Sequence, residues 1–326
     1  MGRKVLICRH FLCYSIGRCS SYTVYKAEVY PALYRSRYRS CGWRAWRHRS
    51  HCIWLSPQVP ESDHRMLPVL LVLGAVLVAV LLFILHRVRT DGAWALWWHD
   101  NHLEKLKDFL SGTSRPVRIL HHVQKVAQYG DAQSVLSAVD SYCSKIEWAM
   151  NVGDLKGQIL DAVVLETRPH YVLELGTYCG YSTVRIARLL PPGARLFSIE
   201  MNPQYAQVAR EIIQHAGLDA KVDILVGCTS DLIPQLKKKL DIEKFDFVFI
   251  DHWKVSYLRD TKLLEECDLL RPGSVLLADN VTCPGAPDYL HYMRTSPRYE
   301  SQYFPSRLEY LQVEDGMEKS VTPERP

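Results

Sequence analysis

Residues 245–254 read FDFVFIDHWK, an apolar run of strand length followed without a spacer by Asp251, His252, Trp253 and Lys254. Burying charge in apolar surroundings is costly unless a partner compensates it. A carboxylate and an amine at the end of such a strand therefore ask for that partner. Working outward, short apolar runs recur at YVLEL (171–175), RLFSIE (195–200), VDILV (222–226) and SVLLA (274–278), separated by helix-like stretches at 181–190, 203–216 and 258–270. Strand and helix in alternation imply a parallel sheet covered by helices on both faces, an α/β class. In the tail, FPSRLEYLQVEDGMEKSV (304–321), Asp315-Gly316 reads as a hairpin turn, so two antiparallel strands are expected to complete a mostly parallel seven-stranded sheet. Before the first strand, residues 101–167 have helical periodicity, with one stripe of Leu103, Leu106 and Leu110 and another including Val135, Leu136, Val139 and Ile146.

The run LPVLLVLGAVLVAVLLFIL (67–85) holds nineteen residues without a charge. At about 1.5 Å per residue it reaches roughly the 30 Å of a bilayer core. A cleaved signal peptide is the competing reading, helped by Ala93 and Ala95, but the run exceeds the usual ~7–15 apolar residues. The expected organisation is a basic extension (1–65), a single-pass signal anchor (66–86) in contact with lipid through 67–85, a juxtamembrane linker (87–116), a catalytic domain (117–320) and a short tail (321–326). Trp94, Trp97 and Trp98 suit the headgroup level.

Residues 1–65 carry twelve Lys/Arg against three acids, so the formal charge of +5 leaves −4 for the remainder. A mildly acidic body argues against nucleic acid as a partner. The head itself reads as a basic arm on anionic lipid or as an unused upstream start, and Met66 directly before the anchor favours the latter. Arg47, Arg49 and Arg65 balance Arg87, Arg89 and Lys105 across the anchor; a start at Met66 breaks the tie and makes the catalytic side cytosolic, at the endoplasmic reticulum or plasma membrane. The ten cysteines show no CxxC pair or zinc spacing, so those of the body are expected as reduced thiols.

In an open α/β sheet ligands bind beyond the carboxyl ends of the strands. The first strand ends in ELGTYCGYS, a glycine turn with Gly176 and Gly180 spaced G-x-x-x-G, and Glu200 follows twenty-four residues after Gly176, where an acid can bind ribose hydroxyls. An acid in the turn, Glu174, suits a cofactor with an ammonium group better than a pyrophosphate. S-adenosylmethionine fits. Glu174 is assigned to its amino group, Ser182 and the helix start to its carboxylate, Glu200 to its ribose and Met201 to the adenine face, with VGCTSD (226–231) as the adenine edge, including Gly227, Thr229 and Ser230. On the other side, Asp251 and the pair Asp279-Asn280 end strands that would lie about 4.8 Å apart if adjacent. Two carboxylates and an amide oxygen suit one Mg2+ with places left for water and substrate oxygens. Simple caps and turns are the plain reading of the same residues. Lys254, three residues past Asp251, is positioned to act as a base; His252 is given packing or a cofactor contact.

The stretches EWAMNVGD (147–154), LELGTYCGYS (173–182), IDHWK (250–254), LLADNVTCPGAPD (276–288) and LEY (308–310) are collinear and jointly specific. Through them the chain resembles the catechol O-methyltransferase family in its membrane-bound form, from about Ile119 to Lys319. The resemblance implies a Rossmann-like methyltransferase fold, a monomeric catalytic domain, S-adenosylmethionine, and an Mg2+-bound catechol such as a catecholamine or catechol estrogen. It assigns Asp251, Asp279 and Asn280 to the metal, Lys254 to proton removal, Glu309 to the second hydroxyl, and Trp148, Trp253 and Pro284 to clamping the ring, with Met150 at the methyl-transfer end. Val152, Glu174, Tyr178, Ser182, Glu200, Met201 and Asp251 match cofactor contacts. Two departures stand out. The family's usual GASQD is GCTSD here, leaving Ser230 too short for a glutamine's reach. The next methionine after Met66 is Met150, beyond Trp148, so only an anchored enzyme is expected. A methyltransferase for acyl-CoA-linked catechols would want a basic surface, and a tethered scaffold would have no need of the intact set Asp251, Lys254, Asp279, Asn280 and Glu309.

Overall fold

The computed structural model describes residues 66–90 and 102–323. The expectations for residues 1–65, for Trp94, Trp97 and Trp98, and for the last three residues fall outside that range. Helix α1, Met66–Thr90, carries the apolar run. Its segment Pro68–Arg87 has a mean hydropathy of 3.1 and none of it is buried, and it is long and apolar enough to cross a membrane.

Four helices follow: α2 (Glu104–Ser111), α3 (Arg115–Val126), α4 (Ala132–Lys145) and α5 (Gly153–Thr167). Then come β1 (Tyr171–Leu175), α6 (Tyr181–Ala187), β2 (Arg195–Glu200), α7 (Pro203–His215), β3 (Val222–Val226), α8 (Thr229–Leu232), α9 (Leu236–Leu240), β4 (Phe245–Ile250), α10 (Tyr257–Glu266), β5 (Leu270–Ala278), α11 (Pro287–Thr295), β6 (Glu300–Arg307) and β7 (Glu314–Val321). Local signals set several of these starts. Asp131 accepts the backbone N–H groups of Gln133 and Ser134 to cap α4, and Asn202 does the same for α7 ahead of Pro203.

The strands form one seven-stranded sheet in the order β3-β2-β1-β4-β5-β7-β6, with β7 alone running against the direction of the other strands. Every residue of β4 is buried, as a central strand requires. Alternation then divides the core: Val172, Leu196, Phe247 and Leu277 pack on the α3–α7 side, whereas Leu173, Ile199, Val248 and Leu276 pack with Leu264, Tyr289 and Met293 on the other. Between β1 and β4 the strand order reverses, and a crevice lies beyond the carboxyl ends of these strands.

Four expectations change. Asp315-Gly316 is not a turn: both lie inside β7, paired with Ser306 and Pro305, and the connection is the stretch from 308 to 313. Gly316 is needed for another reason, because a Cβ there would come within 2.4–2.5 Å of the Tyr303 ring and hydroxyl. The stripe of Leu103, Leu106 and Leu110 is exposed, since α2 turns its acidic side inward, where Glu104 meets Arg115 and Asp108 meets Arg118, each at 2.9 Å. Val135, Leu136 and Val139 are buried as expected, but Ile146 at the end of α4 is 59% exposed. The helix expected to reach residue 270 stops at Glu266, and Leu270 already pairs with Phe245. The five body cysteines are free thiols.

Candidate active site

The crevice is built by close backbone approach. Asp251 N–H donates to Leu175 O at 2.9 Å, and a Cβ on Gly176 would sit 2.4 Å from Asp251 O, so only glycine lets β4 end against the β1 turn. The φ of 97° at Gly176 reinforces that requirement. A cavity of about 390 Å³ opens here. Of the residues assigned to the cofactor, Gly176, Tyr178, Glu200, Met201, Gly227, Thr229, Asp251 and His252 line it, together with Trp253 from the substrate set. Tyr205, Cys228, Ser256 and Arg259 line it as well and had not been singled out.

Glu200 fixes the turn: its Oε2 accepts the N–H groups of Thr177 and Tyr178 at 3.2 and 2.8 Å, and its Oε1 that of Asn202 at 2.8 Å. Glu174 lies within β1 rather than in the turn, and it is fully buried. Thr183 and Ser198 hydroxyls donate to its Oε2 at 2.6 Å each, while Oε1 has no protein partner. Burial pushes its carboxyl up to about 7 against the pull of the Ser182, Ser198 and Thr183 hydroxyls. Val152 packs into the core at the start of α5. Ser230 does not line the cavity; its hydroxyl faces Asp231 at 3.3 Å.

His252 acquires a place in this region. Its Nε2 lies 2.8 Å from Asp260, its ring stacks on Tyr257 at 5.2 Å, and its Nδ1 is buried without a partner. Asp260 also takes the Thr229 hydroxyl and the Arg259 guanidinium. Burial raises its carboxyl, but the hydrogen bonds from His252, Arg259 and Thr229 outweigh that and hold it below the ordinary carboxylate range.

The adjacency expected of the metal side is present: β4 and β5 pair in parallel with Ile250 opposite Ala278, which sets Asp251 beside Asp279. Lys254 Nζ donates to Asp251 Oδ1 at 2.9 Å, to Asn280 Oδ1 at 3.0 Å and to Tyr257 Oη at 2.6 Å. Asp279, Asn280 and Glu309 are all buried. Trp148 donates its indole N–H to Glu309 O at 2.9 Å, which ties one of the expected clamps to the expected hydroxyl acceptor. Met150 is half-buried, Pro284 exposed, and Trp253 75% exposed at the mouth.

Two charged residues of the site had escaped the sequence reading. Lys156, on α5, is completely buried, with Nζ at 2.8 Å from Asp279, 2.5 Å from Glu309 and 2.8 Å from Asp315. Asp315 also accepts Asn280 Nδ2 at 2.9 Å and the N–H of Cys283 at 3.0 Å. A lysine among polar helix residues reads as solvated, and Asp315-Gly316 read as a turn; only their distance from the sheet edge in three dimensions reveals the role. Burial drives the Asp279 carboxyl up to about 8, with Lys156 opposing and Asp251 and Glu309 adding to the rise. Burial likewise raises Glu309, opposed by Lys156. Burial would lower Lys156, but Asp279, Glu309 and Asp315 together raise it, so it stays an ammonium.

These residues suit a hard cation. Asp279 Oδ2 and Glu309 Oε2 are buried carboxylate oxygens with no partner, an arrangement that calls for positive charge. Among the described residues no three His, Cys, Asp or Glu side chains converge as ligands. A cation would therefore rest on the Asp251 and Asp279 carboxylates and the Asn280 amide, completed by water and substrate oxygens.

The O-methyltransferase family model matches residues 128–287. Catechol O-methyltransferase B of Danio rerio is 57% identical over 249 residues, covering 74% of this chain and 94% of that protein. Catechol O-methyltransferase of Mus musculus is 56% identical over 249 residues, covering 76% and 93%. In fold, the chain is similar to TomG, an O-methyltransferase of tomaymycin synthesis from Streptomyces achromogenes solved with S-adenosylmethionine, with TM-score 0.52 at 23% identity over 58% of this chain and 90% of that one. Sheet order, crevice and relatives covered almost end to end agree, and the chain belongs to the catechol O-methyltransferase family.

Proposed function

We propose that this methyltransferase moves the methyl group of S-adenosylmethionine to one hydroxyl of a catechol, such as a catecholamine or catechol estrogen, with one Mg2+ held by Asp251, Asp279 and Asn280. The observation that carries the reading is the bridge of Lys254 between Asp251 and Asn280 at 2.9 and 3.0 Å, with Asp251 itself lining the cofactor cavity. One residue thus belongs to both halves of the site. The ion, when bound, supplies Lewis-acid charge that makes a catechol hydroxyl more acidic and fixes the diol.

The chain's own groups do the rest. Lys254 Nζ receives the proton of the hydroxyl to be methylated, and Glu309 accepts a hydrogen bond from the other. Trp148, Trp253 and Pro284 flank the ring and keep out water, and Met150 stands at the transfer end. Glu174 Oε1, buried and without a partner, suits the cofactor's amino group. Ser182 is near its carboxylate, Glu200 takes the ribose, and Met201 with the 227–230 loop takes the adenine. In the transfer the O–H bond breaks, oxygen bonds to the methyl carbon and the carbon–sulfur bond breaks, leaving a methyl ether and S-adenosylhomocysteine. Alignment of oxygen, carbon and sulfur is the chief contribution of such a site. Helix α1 anchors the catalytic domain to a membrane, with that domain on the cytosolic side.

The test follows labelled methyl from S-adenosylmethionine into a catechol. Transfer should vanish with EDTA and return with Mg2+. Turnover unaffected by exhaustive chelation removes the metal from the reading, and binding of cofactor without any turnover on catechols removes the reaction.

A further inference from the structure

Lys156 is unused in that chemistry, yet it is among the most enclosed charges in the described residues. An ammonium has three donors, and here they meet three carboxylates, those of Asp279, Glu309 and Asp315, at 2.8, 2.5 and 2.8 Å. The three acids come from the end of β5, the connection before β7 and β7 itself, so α5 delivers one cation to a point where separate segments converge. Removing one partner of a buried ion pair leaves an uncompensated charge, whereas an apolar core needs no such arrangement. Charge count gives the lysine a purpose. Asp251, Asp279, Glu309 and Asp315 face Lys156 and Lys254, and in the resting site, with both amines protonated and the four acids ionised, the excess is two negative, the charge of one divalent ion. Without Lys156 the excess is three, and the point between Asp279, Glu309 and Asp315 that its ammonium fills would be left to another cation.

We infer that Lys156 is the protein's built-in counter-ion at the catalytic centre: it stands where a second cation would otherwise be drawn, limits the site to one divalent ion, and fixes Glu309 as an acceptor for substrate. Lys156 is a positioning residue, acting through Asp279 and Glu309. The inference rests on the proposed Mg2+ site.

The test is a titration of the full chain in detergent with Mn2+, a hard divalent ion visible by electron paramagnetic resonance. Wild-type protein should bind one ion per chain. Lys156→Met should bind a second ion, or bind the first at least tenfold more tightly, while S-adenosylhomocysteine affinity stays within threefold and certifies the fold; its catechol KM should rise as Glu309 loses its anchor. Lys156→Gln repeats the measurement should the methionine variant lose the S-adenosylhomocysteine site. Wild-type protein that binds no Mn2+ defeats the metal site itself. One ion in wild type with unchanged stoichiometry and affinity in the variants defeats the counter-ion role alone, and two ions in wild type defeat it without any variant.

Discussion

At the scale of single residues, the same chemical type takes opposite roles according to surroundings. Lys254 is half-buried and shared by Asp251 and Asn280, whereas Lys156 is sealed among three acids. General-base catalysis contributes about 10²–10⁴-fold. Lys254→Ala should therefore lower kcat by that order and leave S-adenosylmethionine affinity, measured calorimetrically, within threefold; near-wild-type turnover would remove the base. Glu174 yields a pH prediction. Its folded pKa is raised to about 7 from an ordinary 4.5, so below 4.5 it is protonated in both states and has no effect. As pH rises from 4.5 to 7 the unfolded state loses its proton first, and the cofactor-free fold loses up to about 3 kcal/mol. Glu174→Gln should abolish that loss, making the cofactor-free protein more stable than wild type at pH 8 but not at pH 4, and should weaken S-adenosylmethionine binding. Denaturant melts at the two pH values decide the matter, and parallel profiles for both proteins contradict it.

At the scale of elements, β4 and β5 bring the oxygen donors together, and β6 and β7 complete the wall behind them. Gly316 shows how tightly that wall is assembled. Tyr303 lies against it, donates to Asp315 O at 3.2 Å and meets the Thr282 hydroxyl at 3.0 Å, so the aromatic ring braces the strand that presents Asp315 to Lys156. Forcing a methyl group into a filled space costs about 1–3 kcal/mol. Gly316→Ala should lower stability by that order in urea unfolding, and Tyr303→Ala in the same chain should recover part of it; a Gly316→Ala protein as stable as wild type would show that the ring moves freely. Helix α2 illustrates the converse. Its leucine period is genuine, but Glu104 and Asp108 dock it through Arg115 and Arg118, leaving the apolar side outward.

At the scale of the whole molecule, a membrane-length helix precedes a methyltransferase domain. The chain should stay with the membrane pellet in alkaline carbonate. Replacing Leu77 and Val80 by arginine, at about 2.5–3.5 kcal/mol each for a charge at mid-bilayer, should release it to the supernatant; carbonate extraction of the unaltered chain would rule out the anchor. Sequence by itself determined the parts whose signal is local. The five parallel strands, the long apolar helix, the glycine turn after β1 and the strand-end positions of Asp251, Asp279 and Asn280 could be read because period, length and strand-end position leave marks within a few residues. Lys156, Asp315 and the Asp260–His252 pair could not, because each is separated in sequence from some or all of its partners and each looks like an ordinary solvated charge until the fold encloses it. Whether Gly316 serves a turn or a ring, and which side of α2 faces inward, was likewise decided only when distant strands and helices packed. Local pattern sets which backbone forms, and burial alone decides which charges must find one another.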